Sequence, residues 1–428
     1  MKVGAARAEI TPELGLVMEG YESRKGGATG IHDPLMVRVL VAEGPEATVG
    51  LVVADLIQID EPLQELIAED VMQRTGIPRN HLQLVGTHTH SGPMLHEPSD
   101  VMRRIAGIIA EAVERAWRER RDAVAAVGIG RVDGIGKNRR PNGGPIDDRV
   151  TVTRFDGVDG TAIATHVNYG CHPTTLGPNN TLYSADYPGI ACRAIEEAVG
   201  GIAIFTTGPQ GDVNPGGYSP EGSMVGIVVS WRTFESAVRY GQLVAASAID
   251  VWESLQPTTS DRVRADSRVL DLERKPLPDA AAARTAAATA ARAEAEIRLA
   301  KLSEDAAYHG AIAAAYADML ATQAEDPERD GPVRTRVSAL ALGPLLHVGV
   351  QGELFVALGQ RIRSALGDDS TCVAALCDGT IGYIPTEDAF EVGGYEPNAS
   401  VLCPGQGERL ADAVIDLAVA TAAGAASA

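Results

Sequence analysis

Hydrophobic strands that end directly in polar, chemically active residues constrain this chain more than any other feature. Residues 81–86 are predicted to form a buried strand that leads to His88 and His90, and residues 160–168 are predicted to form another that leads to His172. In α/β sheets, ligands bind at the edge where the carboxyl ends of the strands meet. The fold must therefore bring distant segments of the chain to one edge of a sheet.

The histidine pair predicts a metal site. In extended chain, residues i and i+2 point to the same face, so His88 and His90 can enter one site. Neutral imidazole is a common zinc ligand and also transfers protons near neutral pH. The hydroxyls of Thr87, Thr89 and Ser91 alternate with the histidines and can supply the hydrogen bonds that metal-bound imidazoles need. The alternative is a pair of ordinary polar residues, and the second histidine-bearing strand end favours the metal site.

A glycine-rich loop follows a further predicted strand at residues 201–206. The loop, residues 208–217, contains four glycines and two prolines, and it carries the carboxylate of Asp212 and the amide of Asn214. Glycine allows the backbone to approach a ligand closely. The alternative is a plain tight turn, which is the better interpretation of the loop taken alone.

The hydrophobic pattern predicts an α/β fold with a mixed sheet flanked by helices, because several strands follow one another without an intervening helix. Strands are predicted at 36–42, 47–57, 81–86, 123–131, 149–155, 160–168, 201–206, 263–271, 334–342 and 344–350, and helices at 61–74, 98–121, 186–199, 222–254, 354–366 and 408–423. The motifs extend from residue 9 to residue 395 and must converge. Residues 1–428 are therefore predicted to form a single catalytic domain.

One segment departs from this alternation. Residues 278–325 are rich in alanine with interspersed charges, which predicts a helical hairpin insertion broken near Ser303 or at His309–Gly310. The hairpin is expected to pack against its own domain; an oligomer contact, and so a homo-oligomer, or a lid are the alternatives. The tail, residues 421–428, is predicted to fray.

Charge and hydropathy exclude several partners. The chain has 37 basic and 57 acidic residues, a net charge of −20, which disfavours nucleic acid and anionic membrane surfaces. No apolar run reaches the roughly 18 residues of a transmembrane helix, so no membrane anchor is expected. The five cysteines are scattered, which fits a reducing compartment, and no secretory signal follows Met1. These features predict a soluble, cytoplasmic protein with a small-molecule substrate.

Four motifs together resemble the neutral, non-lysosomal ceramidases. They are THTHSGP at 87–93, NYGCHPT at 168–174, GPQGDVNP at 208–215 and GEL at 352–354. Shorter matches occur in the same order, namely EITP at 9–12, GY at 20–21, GIH at 30–32, Asn138-Arg139, SAD at 184–186 and Tyr383. The resemblance covers residues 4 to 400 and implies a neutral-ceramidase-like catalytic domain.

The resemblance also implies roles for individual residues. Zinc would be held by four side chains, His88, His172, Glu353 and Tyr383, with His90 beside the metal and facing the scissile bond. The substrate-binding positions would be Gly20, Arg139 and Tyr395. Tyr395 follows Tyr383 at the interval that separates the two site tyrosines of ceramidases.

Two departures from the family pattern affect the predicted chemistry. Asn214 stands where ceramidases have a serine, so that hydroxyl is not available as a nucleophile and a metal-activated water takes its place. Asn214 could instead donate a hydrogen bond to the oxyanion, and Asp212 or Asp186 could orient His90 as the proton carrier. The sequence ends at Ala428 without the immunoglobulin-like domain of ceramidases, which disfavours a membrane lipid as substrate.

The sequence therefore predicts a zinc-dependent hydrolase that uses a metal-activated water to cleave an amide bond in a small polar substrate. An esterase or lactonase on the same zinc site is one alternative, because only the leaving group differs. A true ceramidase is another. A non-catalytic binding protein that retains the fold is the third, and it would predict damaged metal positions, whereas His88, His172, Glu353 and Tyr383 are all present.

Overall fold

The computed structural model describes residues 1–367 and 369–424. Its strands are β1 (Lys2–Glu9), β2 (Gly30–Ile31), β3 (Met36–Glu43), β4 (Thr48–Ala54), β5 (Leu82–Gly86), β6 (Arg121–Arg131), β7 (Gly136–Asn138), β8 (Arg149–Gly157), β9 (Ala162–Tyr169), β10 (Leu182–Tyr183), β11 (Ile202–Thr207), β12 (Val213–Pro215), β13 (Thr258–Thr259), β14 (Val263–Leu272), β15 (Val333–Leu342), β16 (Leu345–Val350), β17 (Glu353–Leu354), β18 (Thr371–Ala374) and β19 (Tyr383–Ile384).

The helices complete the alternation. They are α1 (Glu61–Thr75), α2 (Asp100–Arg118), α3 (Asp186–Val199), α4 (Pro220–Met224), α5 (Phe234–Ser254), α6 (Ala280–Leu299), α7 (Glu304–Glu325), α8 (Val356–Leu366), α9 (Glu387–Val392), α10 (Tyr395–Ala399) and α11 (Gln406–Ala423). The predicted α/β fold with a mixed sheet is confirmed.

Two sheets form the centre of the described structure. The larger has nine strands in the order β11-β9-β8-β6-β1-β3-β4-β5, with β13 beside β6, and the smaller has four in the order β14-β15-β16-β18. Pairs β9/β11, β4/β5 and β16/β18 are parallel, whereas their neighbours are antiparallel. Both sheets are thus mixed. Antiparallel neighbours can be joined by a short turn, whereas parallel neighbours need a long crossover connection.

The sheets pack face to face with helices outside. Along β3, Val37, Val39 and Val41 point to a core shared with α1 and α2, whereas Leu40 and Ala42 point to a core shared with the smaller sheet. Helices α3 and α5 cover β8 and β9 on the same outer face, and α8 and α11 cover the smaller sheet. The resulting order of layers is helix, sheet, sheet, helix, which buries the main strands on both faces.

The predicted helix at 222–254 is wrong in one respect, because it is two helices. The connecting segment contains Gly226 at φ +82°, in the left-handed region that ends helices, and Thr233 then caps α5 by accepting from the Ser236 amide. The two parts therefore take different directions, and α4 is free to line the candidate site.

The alanine-rich segment is a helical hairpin, as predicted. Ser303 begins α7 by accepting from the Ala306 amide, so the break lies at Ser303, and the alternative at His309–Gly310 is wrong because both lie inside α7. The predicted fraying from residue 421 is also wrong up to Gly424, since α11 continues to Ala423 and Gly424 closes it at φ +76°. Residues 425–428 lie outside the described residues.

None of the described helices combines the length and the apolar character that crossing a bilayer requires.

Candidate metal centre

Three imidazoles meet at the carboxyl edge of the larger sheet. His88 follows β5, His90 lies two residues later, and His172 follows β9. One potential ligand atom of each histidine lies within 4.8 Å of those of the other two, and the Nε2 atoms of His88 and His90 are 3.3 Å apart. The predicted convergence of the two strand ends is therefore found.

Backbone carbonyls fix the orientation of each ring. Nδ1 of His88 lies 3.0 Å from the Ile57 carbonyl oxygen, and Nδ1 of His172 lies 3.1 Å from that of Val213. The Nδ1 atom of His90 faces the Gly20 carbonyl at 3.0 Å. A carbonyl only accepts, so each Nδ1 carries the proton and each Nε2 keeps a lone pair. This is the arrangement that metal-binding histidines use.

The prediction that nearby hydroxyls hydrogen-bond to the imidazoles is wrong. Thr89 donates to the Ser184 carbonyl at 2.7 Å, and Ser91 accepts from Asn180 at 3.0 Å. Thr87 Oγ1 is buried and has no hydrogen-bond partner within residues 1–367 and 369–424. Thr89 and Ser91 tie the loop to neighbouring segments, because backbone carbonyl groups from other parts of the chain already occupy the Nδ1 positions.

The backbone at His88 also differs from the predicted extended chain. Strand β5 ends at Gly86, and His88 has φ +69°, a left-handed conformation that is costly for a residue with a side chain. The two rings therefore converge through a bend and not through the alternation of a strand. Strain of this kind is often retained at functional sites.

Glu353 supplies the carboxylate of the cluster. Its Oε2 lies 2.8 Å from His172 Nε2 and 3.5 Å from His88 Nε2. Burial alone would raise the pKa of Glu353, but His88 and His172 hold it well below its usual range, so the carboxylate is charged.

The contacts of His172 test whether this donor set fits a cation. Both of its nitrogens face an oxygen acceptor, Val213 O and Glu353 Oε2, yet a neutral imidazole has a single N–H. Burial, followed by the charge of Arg139, lowers the pKa of His172 to about 4, so the doubly protonated ring is disfavoured near neutral pH. A cation shared by Nε2 and the carboxylate satisfies both groups, and the site therefore fits a metal ion.

Tyr383 is held next to Glu353 by a short parallel pairing. Strands β17 and β19 place Glu353 directly opposite Tyr383. The Tyr383 hydroxyl accepts a hydrogen bond of 3.1 Å from Arg139 Nη2, and Arg139 also donates to Glu396 at 2.6 Å. The structure thus brings all four predicted ligands and Arg139 into one region.

Asp212 and Asp186 do not orient His90, so that prediction is wrong. Asp212 accepts from the Val356 amide at 2.9 Å and from Asn138 at 2.7 Å, which places it at the start of α8. Asp186 accepts hydrogen bonds from nearby residues, and one of these comes from the Thr175 amide at 3.1 Å. Burial raises the pKa of each carboxyl to about 6. Both are structural anchors, and the partner of His90 is the Gly20 carbonyl.

Asn214 is fully buried beneath the site. Its Oδ1 accepts from Arg139 Nη1 at 2.7 Å, and its Nδ2 donates to the Tyr218 carbonyl at 3.3 Å. The amide therefore supports Arg139 in this structure. Its role as oxyanion donor stays a prediction.

A cleft of about 360 Å³ opens above the histidines. Its lining includes all three predicted substrate-binding residues, Gly20, Arg139 and Tyr395, together with His90, His172 and Tyr383. The rings of Tyr383 and Tyr395 are 5.5 Å apart, centroid to centroid. The volume falls within the usual range of small-molecule sites.

Sequence reasoning missed a second group of residues around the cleft. Arg232 donates to the Tyr21 hydroxyl and to the Thr174 carbonyl, and its guanidinium lies 4.1 Å from the centre of the Tyr218 ring. Tyr218 in turn donates to Thr174 Oγ1 at 2.7 Å. Two of them had a signal, Tyr21 in the Gly20-Tyr21 motif and Thr174 in NYGCHPT. Tyr218 and Arg232 stand in segments without a motif.

The chain is similar to known proteins of one family. Residues 1–221 match the family model described as neutral/alkaline non-lysosomal ceramidase, N-terminal. Neutral ceramidase of Drosophila melanogaster is 24% identical over 329 residues, which are 63% of this chain and 46% of that protein. Neutral ceramidase of Drosophila pseudoobscura pseudoobscura is 24% identical over 296 residues, 60% of this chain and 42% of that protein. The chain thus spans less than half the length of these relatives.

Solved structures show the same fold. A crystal structure of neutral ceramidase from Pseudomonas aeruginosa superposes with a TM-score of 0.76 at 20% identity, covering 100% of this chain and 75% of that one. A structure of ceramidase complexed with C2 superposes with a TM-score of 0.74 at 18% identity, covering 99% and 75%.

Proposed function

The chain belongs to the neutral/alkaline non-lysosomal ceramidase family, and on that premise we propose that it is a metal-dependent hydrolase that cleaves an amide bond in a small molecule. The observation that carries this proposal is the pair of contacts made by His172, whose two nitrogens face two oxygen acceptors although its pKa is lowered to about 4. An arrangement of this kind is built around a cation.

The ion proposed is zinc. The residues that would hold it are His88, His172, Glu353 and Tyr383, and imidazole nitrogen with carboxylate oxygen is a donor set that zinc prefers. When bound, zinc supplies Lewis acidity that polarises a carbonyl and lowers the pKa of a water molecule to about 7.

His90 is the proposed proton carrier. It is partly exposed in the cleft, whereas His88 and His172 are buried. Burial, and then the neighbouring His88 and His172, lower the pKa of His90 well below its usual value, so the ring is neutral near pH 7. The Gly20 carbonyl holds the Nδ1 proton, which leaves the Nε2 lone pair to accept a proton from water and return it to the leaving amine.

Arg139 is proposed to position Tyr383 as well as to contact substrate. Its donors reach Tyr383, Glu396, Asn214 and the Gly211 carbonyl, so its guanidinium is held rigidly. Burial raises the pKa of Tyr383 well above its usual value, and the hydrogen bond that its phenol oxygen accepts from Arg139 directs one lone pair of that oxygen toward Arg139. A fixed donor of this kind orients a metal ligand.

The cleft favours a substrate with one polar and one apolar part. Glu19, Glu22 and Arg24 contribute charge to the lining. Val17, Met18 and Met94 contribute apolar surface, and Val17 and Met94 are exposed at 54% and 43%. This apolar side supports a second candidate function, true ceramidase activity on an amide with a long acyl chain.

The free cysteines support a reducing compartment. All five cysteines are unbridged in the structure, and four of them are buried. We therefore propose a cytoplasmic location.

A substrate series tests the proposed function. Amides of one amine with acyl groups from acetyl to palmitoyl, and the matching esters, would be offered to the zinc-loaded protein and to His172→Ala. Amide cleavage by the wild type alone is expected, and a rate that rises with acyl length would favour the ceramidase candidate. His309→Ala, an exposed histidine on α7, is the matched control and should retain the rate. Cleavage of esters only, or equal rates in His172→Ala, would contradict the proposal.

A further inference from the structure

A second cluster of metal-binding side chains lies between the two sheets. His166 belongs to β9 of the larger sheet, whereas His347 and Cys372 belong to β16 and β18 of the smaller sheet. All three have 0% exposure, and one potential ligand atom of each lies within 4.8 Å of the others. These residues take no part in the site described above.

Each imidazole of this cluster has one nitrogen without a hydrogen-bond partner among the residues that the structure describes. His166 Nε2 contacts Thr206 Oγ1 at 2.9 Å, while His166 Nδ1 is unpartnered. His347 Nδ1 contacts Gln83 Oε1 at 2.6 Å, while His347 Nε2 is unpartnered. A buried polar atom without a hydrogen-bond partner destabilises the fold, so two in one place require an explanation.

The network around His347 shows which of its nitrogens is free to bind. Gln83 Nε2 donates to Ser338 Oγ at 2.9 Å, so the amide oxygen of Gln83 faces the ring. Nδ1 of His347 therefore carries the proton, and Nε2 has a bare lone pair in the protein interior. Burial lowers the pKa of His347 to about 3, so a proton does not satisfy this atom near neutral pH.

We propose that His166, His347 and Cys372 form a second metal site, structural in character, that binds a thiophilic closed-shell ion, Cu(I) or Zn(II). Imidazole and thiolate are the donors that these two ions share. Burial raises the pKa of the Cys372 thiol to about 12, so binding of the ion displaces the thiol proton to solvent and a sulfur–metal bond forms.

Charge favours Cu(I) over Zn(II) in this position. One thiolate neutralises Cu(I), whereas Zn(II) would leave a net positive charge among apolar neighbours. Those neighbours include Phe155, Ile204 and Leu340, which share the core cluster of Cys372. An uncompensated charge in such surroundings is costly. An ion held here would join the two sheets, and it must enter during folding because the site is closed.

The test measures metal content in protein produced with added copper or added zinc. Metal per chain would be measured by mass spectrometry for the wild type, His88→Ala and Cys372→Ser. In at least one medium, Cys372→Ser should lose about one ion per chain relative to the wild type, while His88→Ala loses the ion of the first site and keeps this one. Cys192→Ser, which alters an equally buried thiol on α3, is the matched control and should keep the wild-type content.

X-ray absorption at the metal edge provides a readout that does not depend on the folding of the cysteine variant. In His88→Ala protein, the remaining ion should show one sulfur neighbour together with nitrogen, and the absorption edge identifies copper or zinc. Wild-type metal content in Cys372→Ser in both media would overturn the proposal. So would the absence of a sulfur neighbour, or His88→Ala protein that contains no ion. If the first site alone bound no metal, the metal content of His88→Ala would instead equal that of the wild type.

Discussion

The carbonyl oxygen of Gly20 lies 3.0 Å from Nδ1 of His90, and the absence of a side chain on Gly20 makes room for that ring. A Cβ at Gly20, whose φ is +103°, would lie 2.5 Å from His90 Cγ and Nδ1. Gly20, which the family resemblance implies to be a substrate-binding residue, thus also orients His90, the proposed proton carrier.

Gly20→Ala should therefore displace His90. We expect the rate of amide cleavage to fall by about a hundredfold, the effect of a misplacement of roughly 1 Å, while the metal of the first site is retained. Gly15→Ala is the matched control, because Gly15 also has a left-handed backbone, φ +96°, but no atom of the described part of the chain lies within 4 Å of the added Cβ. Equal losses of rate in both variants would mean that backbone strain, and not contact with His90, causes the effect.

His88→Ala and His172→Ala should each lower the zinc content by about one ion per chain and abolish activity, because each removes a ligand that the other residues cannot replace. Elemental analysis of purified protein, alongside the assay, measures both quantities. His309→Ala, on the exposed surface of α7, should keep wild-type zinc. A variant with full zinc would remove its histidine from the set of ligands.

The long elements and the position of the site could be predicted because both depend on local sequence. Strands such as β5 and β9 are hydrophobic over several residues, and the histidines follow them directly. The pairing of β17 with β19 could not be predicted, since each has two residues and no periodicity. That pairing nevertheless places Tyr383 opposite Glu353.

The partners of the histidines were also beyond prediction. The acceptors are backbone carbonyls, and a carbonyl has no sequence signature because every residue has one. The same limit explains the error at Asp212, because a carboxylate in a glycine-rich loop is equally suited to a catalytic role and to capping a helix. The contact with the Val356 amide, which decides between them, joins segments far apart in the chain.

His96 should contribute a pH-dependent part of the stability. Hydrogen bonds to Asp60 and then Glu19, at 2.5 and 3.0 Å, raise the pKa of His96 from 6.5 to about 10 in the folded state. The folded state therefore binds the proton more tightly than the unfolded chain. The contribution is present in full near pH 6 and is lost as pH rises from about 6.5 to about 10. The side chain is 43% exposed, so solvent screening reduces its size.

Thermal unfolding of His96→Gln between pH 6 and pH 10 measures this effect. The variant should unfold at a lower temperature than the wild type near pH 6, and the difference should shrink toward pH 10. His309→Gln serves as the control for loss of an exposed histidine. A difference that is constant across the pH range would show that the charge of His96 makes no contribution to stability.

His90→Ala separates proton transfer from metal binding. If His90 carries protons and does not hold the metal, the variant should keep the metal of the first site and lose activity by about a hundredfold to ten-thousandfold. Burial lowers the pKa of His90 well below its usual value, so the wild-type rate should be constant near neutral pH and fall only on acidification, when the ring takes up a proton. That acidic decline should disappear in the variant. Zinc analysis and the pH profile together decide the role, since loss of zinc would make His90 a ligand and an unchanged acidic decline would assign the titration to another group.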